Sequence, residues 1–246
     1  MRLARRDDDV REWLDASSFD DKAIRDNLRD IRFINRVLGW TTFTTRQVVS
    51  SLRALGPAEV RVLDIASGSA DIPLAVARRA RRTGIDLKIV VSDISSQIVD
   101  AARRQAAGTP SIVVEKADAL DLPYADGSFD IVLCTLALHH FAPDEGVALL
   151  QSMARVGRRV LVFDIARSPL AYAGAVALTR LLPMNAMTRH DAPVSVRRAY
   201  TVAEVRDLVA RAGLPRESVH GTFPFRLVVD AMGRYNKERN NVSPRG

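Results

Sequence analysis

Cysteine is nearly absent from this chain of 246 residues, because Cys134 is the only one. A single thiol excludes an internal disulfide, and residues 1–9 are too charged for a secretory signal, so we expect a reducing, cytoplasmic compartment. Long hydrophobic runs are also lacking: charge or proline interrupts each within about a dozen residues, short of the roughly 20 that a membrane-spanning helix needs. These absences predict a soluble protein with no transmembrane segment, in which Cys134 is a small apolar residue of the core.

Aromatic side chains make up only 6% of the residues and lysine occurs four times, so the net charge of +7 comes almost entirely from arginine. Phosphate contacts with nucleic acid would account for such a charge. The arginine pairs, among them Arg78-Arg79 and Arg103-Arg104, are not interleaved with aromatic residues on which bases could stack. They are typical of a solvated helix surface, and nucleic acid is not the partner we expect.

Apolar residues are abundant, at 47% of the chain, which is enough for one full core with an appended cap. From residue 57 onward, short apolar runs alternate with helical patterns. Strands are expected at 60–65, at 87–91, ending at 117, starting at 130 and at 160–165. This alternation predicts an α/β fold with a parallel sheet that helices cover on both faces.

The first of these strands leads into a turn that has almost no side chains, residues 66–70 (ASGSA). A ligand could lie directly against such a backbone. Asp71 and Pro73 then favour the start of a helix, whose free amides suit polar or negative groups. Asp93 follows Asp64 by one strand-helix-strand unit and ends the second strand, where an acid would accept hydrogen bonds from ribose hydroxyls.

Four segments, VLDIASGSAD, VVSDIS, KADALDLPYADGSFD and IVLCTLALHHF, resemble class I S-adenosylmethionine-dependent methyltransferases in order and spacing, the quinone-biosynthesis type most of all. The resemblance covers residues 57–166. It implies a Rossmann-like, seven-stranded sheet, S-adenosylmethionine as cofactor and S-adenosylhomocysteine as product. The cofactor-binding positions that it implies are Asp64, Ala66, Gly68, Ser69, Asp93, Ile94, Asp118, Ala119 and Thr135.

Each group of these positions has an implied partner in the cofactor. Residues 66, 68 and 69 would lie under the methionine part, Asp93 would bind the ribose, residues 118 and 119 would meet the adenine, and Thr135 would close the pocket. Ala66 and Ala70 depart from the family, which usually has glycine there. Because glycine reaches positive φ and alanine is expected to keep ordinary backbone angles, we expect weaker cofactor binding at this turn.

Residues 1–56 are interpreted as an N-terminal helical lid and residues 57–246 as the methyltransferase domain. In the lid, one helical stripe contains Ile24, Leu28, Ile31, Asn35 and Leu38. Asn35 either faces the ligand cavity or is a packing asparagine with a satisfied amide. Gly39 ends this helix, residues 40–43 form a link, and a second helix follows at 45–55.

A helical insertion at about 167–200 is expected to build the acceptor pocket, as is usual in the family. It begins with an apolar helix at 170–182, which Pro183 ends, and 184–191 are expected to be irregular. A capping box at Thr201 starts the next helix, and a closing hairpin bends at Pro224. The acceptor would be a small aromatic or lipid-like molecule, bound by apolar residues of 170–187 and the lid, with these pocket residues: Asn35, Trp40, His139 and Met187.

Two histidines are the candidate catalytic bases. His140 follows His139 at the carboxyl end of the fourth strand, where open α/β sheets bind their ligands, although either one could instead pack or cap. His190 precedes Asp191, whose carboxylate could orient the imidazole, unless both point to the surface. The histidines show no recognised zinc spacing, so metal-free transfer is expected.

These residues predict a methyltransferase that modifies an oxygen of a phenolic or quinol-type molecule in a biosynthetic pathway. Carbon methylation of the same ring is the near alternative, because both reactions can start from a deprotonated phenol. An RNA methyltransferase and a non-catalytic nucleotide-binding protein also remain open. A nicotinamide dehydrogenase would need the G-x-G-x-x-G turn, which residues 66–70 do not provide.

Overall fold

The structure, a computed structural model, describes residues 3–15, 20–55 and 59–234. Its sheet has seven strands, confirming the expected Rossmann-like methyltransferase architecture. The strands are β1 (Val60–Ile65), β2 (Leu87–Asp93), β3 (Ile112–Lys116), β4 (Phe129–Thr135), β5 (Gly157–Ile165), β6 (Val219–Thr222) and β7 (Arg226–Met232). Their order in the sheet is β3-β2-β1-β4-β5-β7-β6.

The first five strands are parallel and β7 runs antiparallel between β5 and β6. Eight α-helices accompany the sheet in the described residues: α1 (Asp21–Val37), α2 (Trp40–Arg53), α3 (Asp71–Arg82), α4 (Ser96–Ala106), α5 (Pro143–Val156), α6 (Pro169–Leu181), α7 (Ala186–Arg198) and α8 (Val202–Arg211). In the sheet, β1 lies between β2 and β4. The chain adds β2 and β3 on one side of β1 and then returns to add β4 and β5 on the other, so the order of the strands reverses at β1. A ligand crevice forms at such a switch point, beyond the carboxyl ends of the strands.

Two apolar layers cover the sheet. On one face α5 and α8 pack with residues such as Leu149 and Val209, and on the other α2, α3 and α4 pack with residues such as Leu52 and Val76. Cys134 lies fully buried in β4 as a free thiol whose pKa is raised by burial, in agreement with its expected core role. Within the described residues, every helix is too short or too polar to cross a membrane.

Two expected local structures are wrong. Residues 40–43 are not a link, because α2 already begins at Trp40, directly after Gly39 in the left-handed region with φ of 73°. Residues 184–191 are not irregular, because α7 begins at Ala186. Asn185 caps it by accepting a hydrogen bond from the Thr188 amide at 2.9 Å. The expected domain boundary at residues 56–57 lies outside the described residues.

Candidate active site

The turn after β1 has the left-handed backbone that a ligand-cradling loop needs. Ala66, Gly68 and Ala70 have φ of 48°, 57° and 60°. The expectation that the alanines keep ordinary backbone angles is therefore wrong. The left-handed conformation costs an L-residue about 1–2 kcal/mol, and the buried Ala70 shows that packing holds the strained turn in place.

Gly68 leaves space at the centre of this turn. A Cβ built there would meet no atom within 4 Å, so the turn opens onto a free volume. The Gly68 amide donates a hydrogen bond to one carboxylate oxygen of Asp93 at 3.2 Å, and the Ser95 amide donates to the other at 3.0 Å. Burial is the main cause that raises the pKa of Asp93. The cradle and the acid at the end of β2 are thus adjacent, as the sequence predicts.

Two buried oxygens at this edge have no hydrogen-bond partner among the described residues, Asp64 Oδ1 and Thr135 Oγ1. The other oxygen of Asp64 accepts a hydrogen bond from the Ser67 hydroxyl. Burial raises the pKa of Asp64 to about 8, and the charge of Asp71 adds to this effect. Unpartnered acceptors at the ends of β1 and β4 suit a ligand that carries an ammonium and other donors, which S-adenosylmethionine does.

The positions predicted to meet the adenine, Asp118 and Ala119, follow β3, and Ile94, another predicted cofactor position, follows β2. Ile94 exposes 62% of its surface directly after Asp93, although it is a large apolar residue. Asp118 uses one oxygen to accept from the Leu120 amide at 2.9 Å, and Ala119 is buried behind it. Ser69 is buried within the turn after β1. An apolar surface beside an acid fits a flat base with an exocyclic amine.

Asn35 and Trp40, two of the predicted pocket residues, are both buried against other elements. The Asn35 amide donates to the Asp71 carboxylate at 3.2 Å, so this buried side chain ties α1 to the first turn of α3. The ring of Trp40 is buried, and the guanidinium of Arg226 lies over it at 5.1 Å. Met187 is buried in α7. That these three residues line an acceptor pocket stays a prediction.

His139 is enclosed between two carboxylates. Its Nδ1 lies 2.7 Å from Asp164 Oδ1 and its Nε2 lies 3.4 Å from Glu12 Oε1. Burial lowers its pKa, but the two acids outweigh burial and raise it to about 10. His139 is therefore a buried imidazolium with both nitrogens engaged. Asp164, near the end of β5, accepts hydrogen bonds from the ring and the backbone amide of His139.

His140 is more accessible than His139. Asp15 Oδ2 lies 3.1 Å from its Nδ1, Glu12 Oε2 lies 3.8 Å from its Nε2, and 24% of its side chain is exposed. Burial lowers the pKa of His140, but Glu12 and Asp15 outweigh burial and raise it. The positive charge of His140 lowers the pKa of Asp93 against the larger effect of burial, so this imidazole lies near the predicted ribose site.

His190 also contacts the N-terminal segment, at residues 13–15, which contain the Asp15 that faces His140. Its Nδ1 lies 2.8 Å from Asp191 Oδ1, and its ring stacks on Trp13 with 4.2 Å between the centroids. Asp191 also accepts from the backbone amide of Trp13 at 2.8 Å. Both candidate bases therefore contact residues 13–15, His140 through Asp15 and His190 through Trp13.

The N-terminal segment 3–15 is the part of the site that the sequence reasoning missed. Glu12 accepts from the Ser195 hydroxyl at 2.7 Å, and the two nearby histidines bring its pKa to about 2 although burial opposes this. Arg198 donates to the backbone oxygens of Val10 and His139 at 2.6 and 3.2 Å, which fixes the segment against the histidine turn. No spacing of residues in the sequence predicts the contact between segment 3–15 and the histidine turn.

Glu12, His139 and His140 could together bind a metal ion, because their ligand atoms lie within 4.8 Å of one another. Nitrogen and carboxylate donors suit zinc and similar ions. Each of these side chains already has another partner, namely Ser195, Asp164 and Asp15. Metal-free chemistry stays a prediction, to be checked with a chelator.

Comparison with known proteins agrees with this geometry. Residues 62–177 match the family model of the methyltransferase domain. The chain is 33% identical over 164 residues to a demethylmenaquinone methyltransferase of Deinococcus radiodurans, covering 66% of each protein. It is 29% identical over 165 residues to a ubiquinone/menaquinone biosynthesis C-methyltransferase of Burkholderia mallei, covering 64% of this chain and 63% of that one. The matches thus span just under two thirds of these curated relatives.

Solved structures show the same fold. A SAM-dependent methyltransferase from Aquifex aeolicus superposes with a TM-score of 0.60 at 17% identity, covering 87% of this chain and 99% of that one. Magnesium protoporphyrin IX methyltransferase from Synechocystis, solved with bound SAH, gives a TM-score of 0.54 at 19% identity, covering 80% and 84%. At these identities the likeness concerns the fold.

Proposed function

This chain belongs to the class I S-adenosylmethionine-dependent methyltransferases, and from that premise we propose that it methylates the ring of a phenolic or quinol-type small molecule. The cofactor of the family is S-adenosylmethionine. The observation that carries the proposal is the accessible His140, held by two acids at the carboxyl end of β4 beside the predicted cofactor site.

The cofactor site is assigned to the residues around the left-handed turn. Asp93 would accept hydrogen bonds from the ribose hydroxyls, and Asp64 and Thr135 would supply the unpartnered oxygens. Ile94, Asp118 and Ala119 would lie around the adenine, and the turn that contains Ala66, Gly68 and Ser69 would hold the methionine part against its backbone. When bound, S-adenosylmethionine supplies an electrophilic methyl group for an in-line displacement, so the protein has mainly to align the acceptor and exclude water.

His140 supplies the proton chemistry in this proposal. A phenol with a pKa near 10 is about a thousandth ionised at pH 7, a penalty of roughly 4 kcal/mol. Asp15 holds the proton of His140 on Nδ1, which leaves the Nε2 lone pair to accept the phenolic proton. His139 has both nitrogens engaged, so we assign it a positioning role. His190, with its ring partly exposed beside Trp13, is the second candidate base.

Carbon is the atom that the relatives favour, because one of them is named a C-methyltransferase of ubiquinone and menaquinone biosynthesis. A phenolate carries nucleophilic density on its ortho and para carbons as well as on oxygen. In both reactions the bond between sulfur and the methyl group would break and S-adenosylhomocysteine would leave. Transfer to carbon would form a C–C bond and release the ring proton, whereas transfer to oxygen would form a C–O bond and release only the phenolic proton. The O-methylation expected from the sequence, the helical lid of residues 1–56 and a cytoplasmic location stay predictions.

The test is methyl transfer from S-adenosylmethionine carrying a ¹³C-methyl group, with an isoprenoid naphthoquinol and simple phenols as acceptors. We expect a labelled product whose ¹³C shift separates an aryl C-methyl from an O-methyl group. Calorimetry provides the prior step, since heat with S-adenosylmethionine and none with NADH is expected. Absence of binding to S-adenosylmethionine would contradict the proposal.

Three controls separate the remaining alternatives. Labelled methyl groups in RNA rather than in the quinol would favour the RNA methyltransferase, and binding without any transfer would favour a non-catalytic protein. Loss of activity with a chelator and its return with magnesium would contradict metal-free transfer.

His140→Ala should lower kcat by ~10²- to 10⁴-fold with cofactor affinity unchanged, because only the proton transfer is removed.

A further inference from the structure

Large apolar side chains are exposed around the carboxyl edge of the sheet. We define them as the apolar rim: Val37, Leu38, Leu170, Leu181, Phe223 and Phe225. Phe223 exposes 87% of its surface, Leu181 82% and Leu170 71%. A folded protein in water gains nothing from such exposure, and contiguous exposed apolar surface marks interaction sites.

Hydrogen bonds join the segments that carry the apolar rim. Arg226 donates to the backbone oxygens of Leu38 at 2.7 Å and Phe223 at 3.1 Å, which brings the end of α1 to the turn between β6 and β7. The Ala166 amide donates to the Phe225 oxygen at 2.8 Å, which brings the same turn to the chain just before α6. The three segments therefore meet at one place, beside the end of β5.

Helix α6 is apolar on the side that faces solvent. Exposed positions recur along it with helical spacing, at Leu170, Ala173, Gly174, Ala177 and Leu181. Thr179 is the only buried residue of the helix. That apolar residues of 170–187 line the acceptor pocket stays a prediction. An amphipathic helix normally turns such a stripe toward the core, so this one needs an external partner.

The segments that carry the apolar rim are rich in arginine. Residues 31–55, 165–190 and 218–229 contain no aspartate or glutamate but eight arginines, more positive charge than the net +7 of the whole chain. One of these, Arg167, is paired with Glu204, whereas Arg36 and Arg180 are exposed. The chain's excess positive charge is thus concentrated in the segments that expose apolar side chains.

We propose that the apolar rim docks on a membrane surface that contains anionic phospholipid. Leucine and phenylalanine side chains would enter the boundary between headgroups and acyl chains while the arginines contact the anionic headgroups. A second copy of the chain fits less well, because a twofold contact would bring the same arginines against each other. RNA fits less well, because leucine, alanine and glycine provide no stacking platform.

Docking would place the carboxyl edge of the sheet, with its cofactor site and His140, next to the lipid phase. A lipid-soluble acceptor would then reach the site without crossing water. This consequence rests on the proposed function, whereas the docking itself does not, and a binding assay without acceptor tests it alone.

The test is co-sedimentation of the full chain with phosphatidylcholine vesicles, with and without phosphatidylglycerol. We expect binding that needs phosphatidylglycerol and weakens with salt. Leu170→Gln combined with Leu181→Gln should lower the vesicle affinity at least ~tenfold, because both side chains leave the lipid. Arg180→Glu should lower the affinity for anionic vesicles about tenfold.

Met232→Gln is the matched control. Met232 is exposed at 46% and pairs with Arg159 near the opposite edge of the sheet, so this variant should bind like the wild type. Circular dichroism checks that each variant is folded. The proposal is overturned if the wild type binds neither vesicle, if Met232→Gln loses as much affinity as the double variant, or if sedimentation shows a dimer that the double variant dissolves.

Discussion

Acids far away in sequence set the chemistry of a single imidazole, His140. Glu12 and Asp15 both raise its pKa, against the effect of burial. A base with a raised pKa is stronger, but it must lose its proton at a higher pH before it can act. The activity should therefore rise with pH as His140 deprotonates.

The variant Asp15→Asn tests this relation, because it removes one of the two acids and keeps the shape of the side chain. The pKa of His140 should fall, so the acidic limb of the kcat profile should move to lower pH. The maximal kcat should drop about tenfold, because a weaker base accepts the phenolic proton less readily. Asp100→Asn is the control, since this exposed acid pairs with Arg103 on α4. An unmoved acidic limb would exclude His140 as the titrating base.

Residues of this kind also mark the limit of prediction from the sequence. Asp64 and Asp93 could be placed near strand ends because each follows an apolar run, whereas Thr135 is implied by the family resemblance. Asp15 and His140 are 125 residues apart, and no periodicity connects them. Only the folded chain brings segment 3–15 onto the histidine turn, so Glu12 and Asp15 could not be found.

At the scale of elements, the turn between β1 and α3 combines strain with an open ligand cradle. Gly68→Ala should reduce the free energy of unfolding by about 1 kcal/mol, because alanine is strained at positive φ. It should also weaken S-adenosylmethionine binding at least ~tenfold, because its Cβ enters the free volume.

Gly84→Ala is the matched control, with φ of 71° and no atom within 4 Å of the built Cβ. This glycine follows α3, which runs from the turn after β1 back to the start of β2. Its replacement should have the same effect on unfolding in urea with unchanged cofactor affinity by calorimetry. Equal affinities for the two variants would place the cofactor elsewhere.

Strands and helices could be predicted from the sequence where neighbouring residues alone specify them. Apolar runs gave the parallel strands, and Thr201 and Pro224 marked a helix start and a hairpin bend. The prediction failed where tertiary contacts decide: α2 starts at Trp40 because Gly39 adopts φ of 73°, and α7 starts because Asn185 caps it. The exposure of α6 could not be foreseen either, since an apolar helix is normally buried.

For the whole molecule, buried ionisable groups determine how stability varies with pH. The pKa of Asp64 is raised from an ordinary 3.8 to about 8, so the folded chain holds this proton more tightly than the unfolded chain. The resulting stability is fully present below pH 3.8 and is lost as the pH rises through 8. His139 has the same sign, with stability present below 6.5 and lost through about 10.

Asp64→Asn isolates the first of these contributions, because an amide has the same shape and cannot ionise. In urea denaturation of the cofactor-free protein, the free energy of unfolding of the variant relative to the wild type should increase by on the order of 4 kcal/mol between about pH 5 and about pH 9. The wild type alone must then bury a charge at Asp64, whose Oδ1 has no partner in the described residues. A constant difference between the two proteins at both pH values would show that Asp64 is already ionised at pH 5.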